Sequence, residues 1–501
     1  MTPSTTAGAA ALIREALDAY ADDPQAVQVL QGYAQRLAEP LRIAVAGMVK
    51  AGKSTLLNAI IGEEIAPTDT GECTRIVTWY RHGRTPRITL HPTDGAPRNL
   101  PLKRVDGRLV FVLDGVRAEE VDRLEVEWPS PALEAMTLID TPGIASLSQD
   151  VSARSLRFLT PEDAPSEADA VVYLMRHLHE SDVRFLESFR DTGAGRSGTV
   201  NAIAVLSRAD EVGAGRIDSL LSAGTIAERY SRDPNLRKLA LAVVPVAGLL
   251  AESARTLRQT DFEALRMLAT LDRTARERML LSADRFRRAV VPEGLTEDAR
   301  ASLLERYGLF GVRLAMVLVR NGYGEPTPLS HELARRSGLD PLLELLDRQF
   351  QARAGALKAR TALAAVEDLL ANRPRPGTEQ VAASLERLQA GAHEFRELRL
   401  LAALRTTGVD LAPELAAEAE RLIGGQGAAA SQRLGVAPGS GPEVLAAQAR
   451  QVLGRWRVIA ESPLTARPAA EACRVVIRSC EGMLADCTGT ASGTARQPQT
   501  A

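Results

Sequence analysis

Hydrophobic residues recur every three to four positions through the first forty residues. The residues that follow this spacing are Leu12, Ile13, Leu17, Tyr20, Val27, Leu30, Tyr33 and Leu37. Because an α-helix turns once every 3.6 residues, this spacing places the apolar side chains on one helical face. One or two amphipathic helices are therefore predicted within residues 9–38, and their apolar face must pack against another part of the chain.

Short apolar runs alternate with polar or amphipathic stretches between residues 42 and 251. Apolar runs without a polar side are typical of strands that are buried on both faces, as in parallel sheets. The predicted strands are 42–46, 75–81, 86–91, 108–113, 121–128, 136–140, 169–175, 200–206 and 241–247. Helices are predicted to begin at Lys53, Ser181 and Arg216. This alternation predicts an α/β fold with a central, mostly parallel sheet covered by helices on both faces.

Strand patterns end near residue 251, and the remaining chain has helical periodicity and is rich in Ala, Leu, Arg and Glu. The predicted helices are 261–286, 296–320, 340–372, 379–404, 411–423, 442–460 and 467–487. Glycine-rich stretches at 424–427 and 438–441 predict loops or hinges between them. The C-terminal part is therefore predicted to be a helical bundle that also receives the N-terminal helices.

The chain has 501 residues, of which 45% are hydrophobic and 25% are charged, with a net charge of −2. These values fit a globular protein of more than one structural unit, and they give no general attraction to nucleic acid. We find no stripe of aromatic and basic residues, so no nucleic-acid partner is expected. The longest apolar run, residues 239–251, is too short to span a bilayer, and no signal peptide is visible. A cytoplasmic protein is expected, with any membrane contact peripheral.

Three of the four cysteines, Cys473, Cys480 and Cys487, are seven residues apart in a predicted helix. Neighbours at that spacing are about 10 Å apart along the helix axis. A disulfide cannot bridge that distance. We therefore expect buried free thiols, as in a reducing compartment.

The strongest chemical signal follows the first predicted strand. Residues 47–54 read Gly47-Met-Val-Lys-Ala-Gly-Lys-Ser54, which is the spacing of a phosphate-binding loop. In such a loop the backbone N–H groups surround the phosphates, the lysine reaches the β- and γ-phosphates, and the serine hydroxyl ligates Mg²⁺. A chance match is the alternative, but the apolar strand before the loop favours the functional interpretation. The predicted phosphate-binding residues are Gly47, Val49, Lys50, Ala51, Gly52, Lys53, Ser54 and Thr55.

A second motif, Asp140-Thr-Pro-Gly143, ends the predicted strand at 136–140. A carboxylate at this position can hold Mg²⁺ through water, and the Gly143 N–H can approach the γ-phosphate. The alternative is an ordinary exit from a strand into a turn. Its place after a phosphate-binding loop favours the role in nucleotide binding.

The polar stretch from Pro67 to Arg75 lies between these two motifs. A threonine in it could complete the Mg²⁺ shell when the γ-phosphate is present, as in a switch loop. Thr68 and Thr70 compete for this role. Thr74 is preferred because it directly precedes a predicted strand.

A third motif, Ser207-Arg208-Ala209-Asp210, follows the strand at 200–206. The Asp210 carboxylate can accept two hydrogen bonds from the N1 and N2 side of guanine, which adenine does not offer, and Arg208 can lie along the base. An N-cap aspartate is the alternative for Asp210. Backbone N–H groups near Ala247 are a weaker candidate for the last guanine contact.

In this order the motifs resemble those of the dynamin family. The stretches Glu72-Cys-Thr-Arg-Ile-Val-Thr-Trp79 and Glu211-Val-Gly-Ala-Gly-Arg-Ile-Asp218 are similar to the isoniazid-inducible dynamin-like proteins of actinobacteria. The resemblance implies a GTPase that uses GTP and Mg²⁺, with Ser54, Thr74 and Asp140 at the metal. It also implies self-association through the G domain, a longer dynamin-like partner, and remodelling of the inner face of the plasma membrane.

The resemblance also suggests how the chain is divided. N-terminal helices at 1–40 would contribute to a helical trunk, and a dynamin-type G domain would span 41–345. The helical neck and trunk would occupy 346–490, and 491–501 would be a disordered tail. In larger dynamins a loop of the stalk enters lipid. The stretch 307–319 is a candidate for such a loop here, although packing within the core is the favoured interpretation.

Two positions depart from the dynamin pattern. Val49 and Lys50 stand where dynamins usually have Gln, which places the attacking water, and Ser, which helps to hold a monovalent cation. Valine cannot orient water, and Lys50 either replaces the cation with its ammonium group or is merely solvated. Lys50, Lys53, Thr74 and Gly143 are the predicted catalytic residues. Two alternative functions are a nucleotide-gated assembly subunit with little hydrolysis, and a G protein acting in translation or RNA modification.

Overall fold

The computed structural model describes residues 5–68, 75–105, 107–113, 115–142, 167–189, 201–213, 215–289, 295–406 and 408–493. The strands are β1 (Leu41–Gly47), β2 (Val77–His82), β3 (Arg87–Pro92), β4 (Arg98–Leu100), β5 (Lys103–Val105), β6 (Arg108–Val110), β7 (Val121–Trp128), β8 (Met136–Asp140), β9 (Ala170–Met175), β10 (Ala202–Ser207) and β11 (Val243–Val246). Nine of them form one sheet in the order β11-β10-β9-β1-β8-β2-β7-β3-β4, and β5 pairs with β6 separately.

The half of the sheet from β11 to β8 is entirely parallel. Strand β2 runs antiparallel to β8 and parallel to β7, and β3 and β4 continue with antiparallel pairs. The predicted α/β fold with a mostly parallel sheet is therefore confirmed. The carboxyl ends of β1, β8, β9, β10 and β11 lie at one edge of the sheet, which is where ligands bind in folds of this kind.

The helices in the described part of the chain surround this sheet and continue beyond it. They are α1 (Thr5–Ala19), α2 (Pro24–Ala38), α3 (Lys53–Ile61), α4 (Pro131–Ala135), α5 (Glu180–Ser188), α6 (Ser219–Ser231), α7 (Pro234–Arg237), α8 (Gly248–Arg255), α9 (Gln259–Ala269), α10 (Arg273–Met279), α11 (Ala283–Arg288), α12 (Glu297–Arg320), α13 (Pro326–Arg336), α14 (Leu339–Gln349), α15 (Ala354–Asn372), α16 (Glu379–Gly391), α17 (His393–Arg405), α18 (Pro413–Leu422), α19 (Ala430–Leu434), α20 (Pro442–Glu461) and α21 (Arg467–Gly493).

Side chains of the central strands alternate between two hydrophobic clusters. Ile43 and Val45 face the same cluster as α3 and α14, whereas Ala44 and Ala46 face the cluster that contains residues of α5, α6 and α7. This alternation follows from the twofold period of a strand. It explains why β1 has no polar position between Ile43 and Ala46, since both of its faces are covered.

The N-terminal helices pack against the C-terminal half of the chain, as predicted. Helices α1 and α2 both contact α15. The Lys358 ammonium of α15 donates to the carbonyl oxygens of Leu37 (2.8 Å) and Glu39 (2.7 Å), where α2 ends. A cation at the C-terminal end of a helix is favourable because the exposed carbonyl groups carry partial negative charge. The boundaries of the predicted domains stay predictions.

Three predicted long helices are shorter in the structure. The helix predicted at 261–286 is divided into α9, α10 and α11, because Asp272 and Ser282 cap the N-termini of new helices. The helix predicted at 340–372 is divided by a turn at Gln351–Arg353, and the one predicted at 379–404 is divided at Ala392. Helices α4, α7, α8, α13 and α19 and strands β4 and β5 were not predicted.

Two predictions about burial are confirmed. Cys473, Cys480 and Cys487 are buried on α21, and Cys473 and Cys480 are free thiols. In the stretch 307–319, Tyr307 and Phe310 are buried in a hydrophobic cluster, so the favoured core interpretation holds. Among the residues that the structure describes, no helix has both the length and the apolar character needed to span a bilayer.

Candidate nucleotide-binding site

The loop between β1 and α3 has the backbone of a phosphate-binding loop. Gly47 has φ +149°, and a Cβ atom there would lie 2.4 Å from the Leu174 carbonyl oxygen, so only glycine fits. Gly52 has φ +95° and directly precedes α3. The first amides of α3 have no partner within the helix, and the N-terminal dipole end favours anions. The loop can therefore surround a phosphate with N–H groups.

The Lys53 ammonium lies inside this loop. Its Nζ atom is 3.3 Å from the Gly47 carbonyl oxygen and 3.5 Å from that of Met48. Burial lowers the pKa of the Lys53 amine, and the nearby Asp140 carboxylate partly offsets this effect. A bound phosphate would stabilise the charged amine further. The position fits the predicted phosphate-binding role of Lys53.

Two of the predicted Mg²⁺ ligands, Ser54 and Asp140, are brought together. The Ser54 hydroxyl donates to Oδ2 of Asp140 at 2.9 Å, although the two residues are 86 positions apart. Burial raises the pKa of the Asp140 carboxyl to about 6, while Lys53 and the Ser54 hydrogen bond oppose the increase. Hydroxyl and carboxylate oxygens are the donors that Mg²⁺ prefers, so this pair fits a magnesium site.

Thr141 is a site residue that the sequence analysis missed. Its N–H and its hydroxyl both donate to the Val45 carbonyl oxygen, at 3.3 and 3.0 Å. These bonds tie the chain after Asp140 to β1 and thereby fix the direction in which the carboxylate points. The predicted roles of Thr74 and Gly143 fall on residues outside those that the structure describes.

A cleft of about 160 Å³ opens beside the phosphate loop. It is lined by Ala51, Gly52, Thr55, Leu56, Leu174, Val205, Ser207, Arg208, Asp210, Glu211, Val246, Gly248 and Leu249. Three separate strand ends and the phosphate loop therefore contribute to one cavity. Its walls carry apolar side chains from β9, β10 and β11, together with polar groups from residues 207–211 at the edge.

Arg208 connects the base side of this cleft to the phosphate side. One guanidinium nitrogen donates to the Lys50 carbonyl oxygen at 3.0 Å, and another contacts Glu211 at 2.7 Å. Within the described chain, Lys50 (φ +62°) and Arg208 (φ +52°) are the non-glycine residues with positive φ. Such conformations are costly and persist where the surrounding structure enforces them. The side chains of Val49 and Lys50 are exposed.

Asp210 lies at the cleft within a single turn formed by Ala209–Glu211. Burial raises the pKa of its carboxyl, and the neighbouring Glu211 adds to this effect. The alternative role as a helix N-cap does not fit, because the next helix begins at Ser219 after Asp218. A partly desolvated carboxylate at a cleft is suited to accept hydrogen bonds from a ligand.

The predicted role of the Ala247 amide does not fit the structure. Ala247 is buried, and its N–H donates to the Ser337 carbonyl oxygen at 2.8 Å. The amide is therefore not available to a base. Gly248 and Leu249 line the cleft instead, and they are the first residues of α8, whose amides have no partner within the helix.

Glu211 and Arg176 are further residues that the sequence analysis missed. Glu211 bonds Arg208 and also accepts from Arg176 at 2.6 Å. The adjacency of Glu211 to the Asp210 motif was a usable signal. Arg176 follows β9, and no feature of the sequence around it indicated a role in the site. Its position beside β10 depends on the pairing of distant strands.

Residues 43–204 match the sequence profile of the dynamin family. The isoniazid-induced protein IniC of Mycobacterium tuberculosis (strain H37Rv) is 45% identical over 451 residues, covering 90% of this chain and 91% of that protein. IniA of the same strain is 33% identical over 147 residues, 28% of this chain and 22% of IniA. A chain from an oligomerised bacterial dynamin pair, described as sensing and tethering membranes, aligns over 96% of this chain and 75% of its own length at 12% identity, with a TM-score of 0.32.

Proposed function

The chain belongs to the bacterial dynamin-like GTPase family, and from this membership we propose that it binds GTP with Mg²⁺ and hydrolyses it. One observation carries the proposal. Asp210, which can select guanine, lines the same cleft as Ala51 and Gly52 of the phosphate-binding loop. A base and its phosphates can therefore be bound by adjoining parts of one site.

Each group of the site has a defined task in this proposal. Lys53 and the loop amides bind the phosphates, and Asp210 accepts from N1 and N2 of guanine. Ser54 and Asp140 would hold Mg²⁺, joined by Thr74, and the ion would neutralise charge on the phosphates. Gly143 would approach the γ-phosphate with its N–H group. Water then attacks the γ-phosphorus, the bond to the β–γ bridging oxygen breaks, and GDP and phosphate are released.

The base contact can be tested by exchanging the preference between two purines. In Asp210→Asn the side-chain amide donates a hydrogen bond to the O2 atom of xanthine, where guanine carries an amino group. We expect the variant to lose at least 100-fold in affinity for GTP and to gain affinity for XTP. Isothermal titration calorimetry with GTP, XTP and ATP measures both changes.

The matched control is Asp218→Asn, which changes an aspartate on the same loop whose side chain is 49% exposed. It should bind GTP as the unmodified chain does. If Asp210→Asn lowers the affinity for GTP and for XTP equally, Asp210 does not distinguish one base from another. If the unmodified chain binds neither GTP nor ATP at millimolar concentration, the proposed function is wrong.

Val49 favours a second candidate function, a nucleotide-gated assembly subunit with little hydrolysis. Its side chain is 43% exposed in the phosphate loop and has no group that can orient water. Phosphate release at high protein concentration separates the two functions. Turnover that rises with protein concentration supports hydrolysis on G-domain pairing, whereas tight binding with negligible turnover supports the assembly subunit.

We further propose that the chain self-associates through its G domain, joins a second dynamin-like protein, and contacts the inner face of the plasma membrane from the cytoplasm. The turn between α20 and α21 supports the lipid contact, because Leu464 is 95% exposed there and Arg467 lies beside it. Leu464→Asp should reduce sedimentation with anionic liposomes several-fold. Leu221→Asp, at another highly exposed leucine, is the control.

A further inference from the structure

The cleft wall formed by residues 245–249 is supported from behind by the junction between α13 and α14. The Ala247 N–H donates to the Ser337 carbonyl oxygen at 2.8 Å. Gly338 lies against the same strand, with φ +85°, and a Cβ atom on it would be 2.2 Å from the Pro245 carbonyl oxygen. A contact this close between two backbone segments leaves no room for a side chain, so the wall and the junction must move together.

The junction itself is tightly held. Ser337 is fully buried, and its hydroxyl donates to the Ala334 carbonyl oxygen at 2.6 Å. The same hydroxyl accepts from the Leu339 N–H at 3.2 Å. One side chain therefore joins the last turn of α13 to the first turn of α14. A shift of the cleft wall is transmitted to the start of α14 with little loss, because packed interiors are stiff.

Helix α14 continues from this junction to the helical trunk. Leu342 and Leu346 are fully buried along it. At its end, Gln349 donates to the Gly425 carbonyl oxygen at 3.1 Å, and Arg353 in the following turn donates to that of Ile423 at 3.2 Å. The path from the cleft wall to the residues that follow α18 thus consists of one helix and a short turn, with bonded contacts at both ends.

We infer that Ser337 and Gly338 are positioning residues for guanine recognition, and that they transmit occupancy of the base cleft to α14. The inference rests on the proposed function, since it needs a base in the cleft. A base that contacts Val246, Gly248 and Leu249 selects one position of this wall. By thermodynamic linkage, the junction that fixes the wall favours binding, and binding stabilises the junction to the same extent.

Hydrogen exchange on the unmodified chain gives the first test. With Mg²⁺ present, we compare the chain saturated with GDP and with inorganic pyrophosphate, which fills the phosphate loop but leaves the base cleft empty. The amides of residues 338–343 should exchange at least fivefold more slowly with GDP than with pyrophosphate. Equal exchange with the two ligands, or protection by GDP that is confined to residues 47–56, would overturn the inference while leaving GTP binding intact.

Substitution gives the second test. Gly338→Ala places a Cβ against Pro245, whereas Gly377→Ala imposes the same backbone strain at φ +88° with no atom within 4 Å. We expect Gly338→Ala to lower the ratio of GDP affinity to ADP affinity at least tenfold, and Gly377→Ala to leave it within twofold. Ser337→Ala, which removes one hydroxyl, should lower the ratio of GDP affinity to ADP affinity about threefold. This variant replaces Gly338→Ala in the test if Gly338→Ala does not fold.

A purely structural role predicts a different result. In that case the variants lower thermal stability and reduce the binding of GDP and ADP by the same factor, and the affinity ratio stays at the unmodified value. That outcome would also overturn the inference. An unmodified chain that does not distinguish GDP from ADP would instead contradict the proposed function itself.

Discussion

The nucleotide site is shaped at the level of single residues by two backbone conformations that few side chains adopt. The backbone of both Lys50 and Arg208 is in the left-handed region, and a hydrogen bond from the Arg208 guanidinium to the Lys50 carbonyl oxygen joins the two residues. Each such conformation costs on the order of 1 kcal/mol, so their pairing at one site points to a functional constraint. Arginine suits this role because its planar group binds the phosphate loop and Glu211 at once.

The exposed side chain of Lys50 leads to a prediction about monovalent cations. If its ammonium offsets phosphate charge in place of a bound cation, GTP turnover should be the same, within twofold, in potassium, sodium and choline buffers. Lys50→Ala should lose at least tenfold in choline and recover part of this loss in potassium. Steady-state phosphate release measures both effects.

Lys103→Ala is the control for this prediction, because Lys103 is an exposed lysine on β5 and does not line the cleft. It should behave like the unmodified chain in all three buffers. A strong potassium requirement in the unmodified chain contradicts the role assigned to Lys50, and the side chain is then merely solvated.

The raised pKa of Asp140 gives a prediction about pH. With a pKa of about 6 in the absence of ligand, the carboxyl is ionised at pH 7.5 and largely protonated at pH 5. Mg²⁺ binds the ionised form, so the gain in GDP affinity on adding Mg²⁺ should fall about tenfold between these values, with release of one proton on binding at low pH.

The nucleotide phosphates titrate in the same range, so the measurement needs a variant without the carboxylate. Asp140→Asn keeps the titration of the nucleotide and removes that of residue 140. Calorimetry in buffers of different ionisation enthalpy counts the protons released on binding. The difference between the two proteins is the contribution of residue 140. If the variant and the unmodified chain show the same pH dependence of the Mg²⁺ effect, Asp140 does not titrate in this range.

Single residues of the site could be predicted where one local segment carries the chemistry. Lys53, Ser54 and Asp210 lie at the cleft or in the loop because the order strand, loop and helix dictates where those side chains go. The Ala247 prediction was wrong because a distant carbonyl group, on Ser337, takes up that amide. No pattern near residue 247 indicates this partner 90 positions away.

At the level of elements, periodicity predicted the central strands well and the helix breaks poorly. Strands β1 and β8 are within two residues of their predicted bounds, because unbroken apolar runs of that length usually form buried strands. The breaks at Asp272 and Ser282 depend on single capping hydrogen bonds. Ser, Asp and Asn are also common on exposed helix faces, so a cap cannot be told from a surface residue by type alone.

The contact between α3 and α8 depends on a buried carboxyl group, and it leads to a prediction about stability. Glu252 accepts from the Asn58 side-chain amide at 2.7 Å. Burial raises the pKa of Glu252 to about 7, from an ordinary value of 4.5. The folded chain therefore binds this proton more tightly than the unfolded chain, and the resulting stabilisation is complete below pH 4.5 and lost as the pH rises through 7.

Glu252→Gln cannot ionise and keeps an acceptor for Asn58. We expect it to unfold with the same free energy as the unmodified chain at pH 4.5, and to be more stable at pH 8 by about 3 kcal/mol. Urea denaturation at the two pH values measures this difference. Glu443→Gln, at an exposed position on α20, should change neither value. Equal stability of Glu252→Gln and the unmodified chain at pH 8 would show that the carboxyl is not held neutral.

At the scale of the whole molecule, a cluster of ion pairs around the largely buried side chains of Arg405 and Glu420 joins the region beside the sheet to the C-terminal helices. Arg405 of α17 donates to the carbonyl oxygens of Ala240 and Leu241 at 3.2 and 3.1 Å, and two of its guanidinium nitrogens donate to Oε1 of Glu420 of α18 at 3.0 and 2.7 Å. Arg237 of α7 contacts the other oxygen of the same carboxylate at 2.7 Å. This cluster could not be predicted, because the contacts that join Arg405 and Glu420 to residues 237–241 span more than 160 positions and each charged member is an ordinary surface residue type.

Loss of this cluster should separate the C-terminal helices from the sheet more readily than loss of any exposed ion pair. Arg405→Met keeps the aliphatic volume but removes the charge, so it leaves Glu420 with Arg237 alone and the two carbonyl groups unbonded. Removing one partner of a buried pair costs about 3 kcal/mol, whereas removing one partner of an exposed pair costs about 0.5 kcal/mol or less.

Arg467→Met breaks an exposed pair with Glu471 and is the matched control. Chemical denaturation should show the larger loss for Arg405→Met, and hydrogen exchange should rise at residues 239–242 in that variant only. Because residue 241 lies two positions before β11, whose end forms the cleft wall, GDP should in turn slow this exchange. Equal losses in the two variants would mean that the helices are held to the sheet by apolar packing, with the arginine cluster contributing nothing measurable.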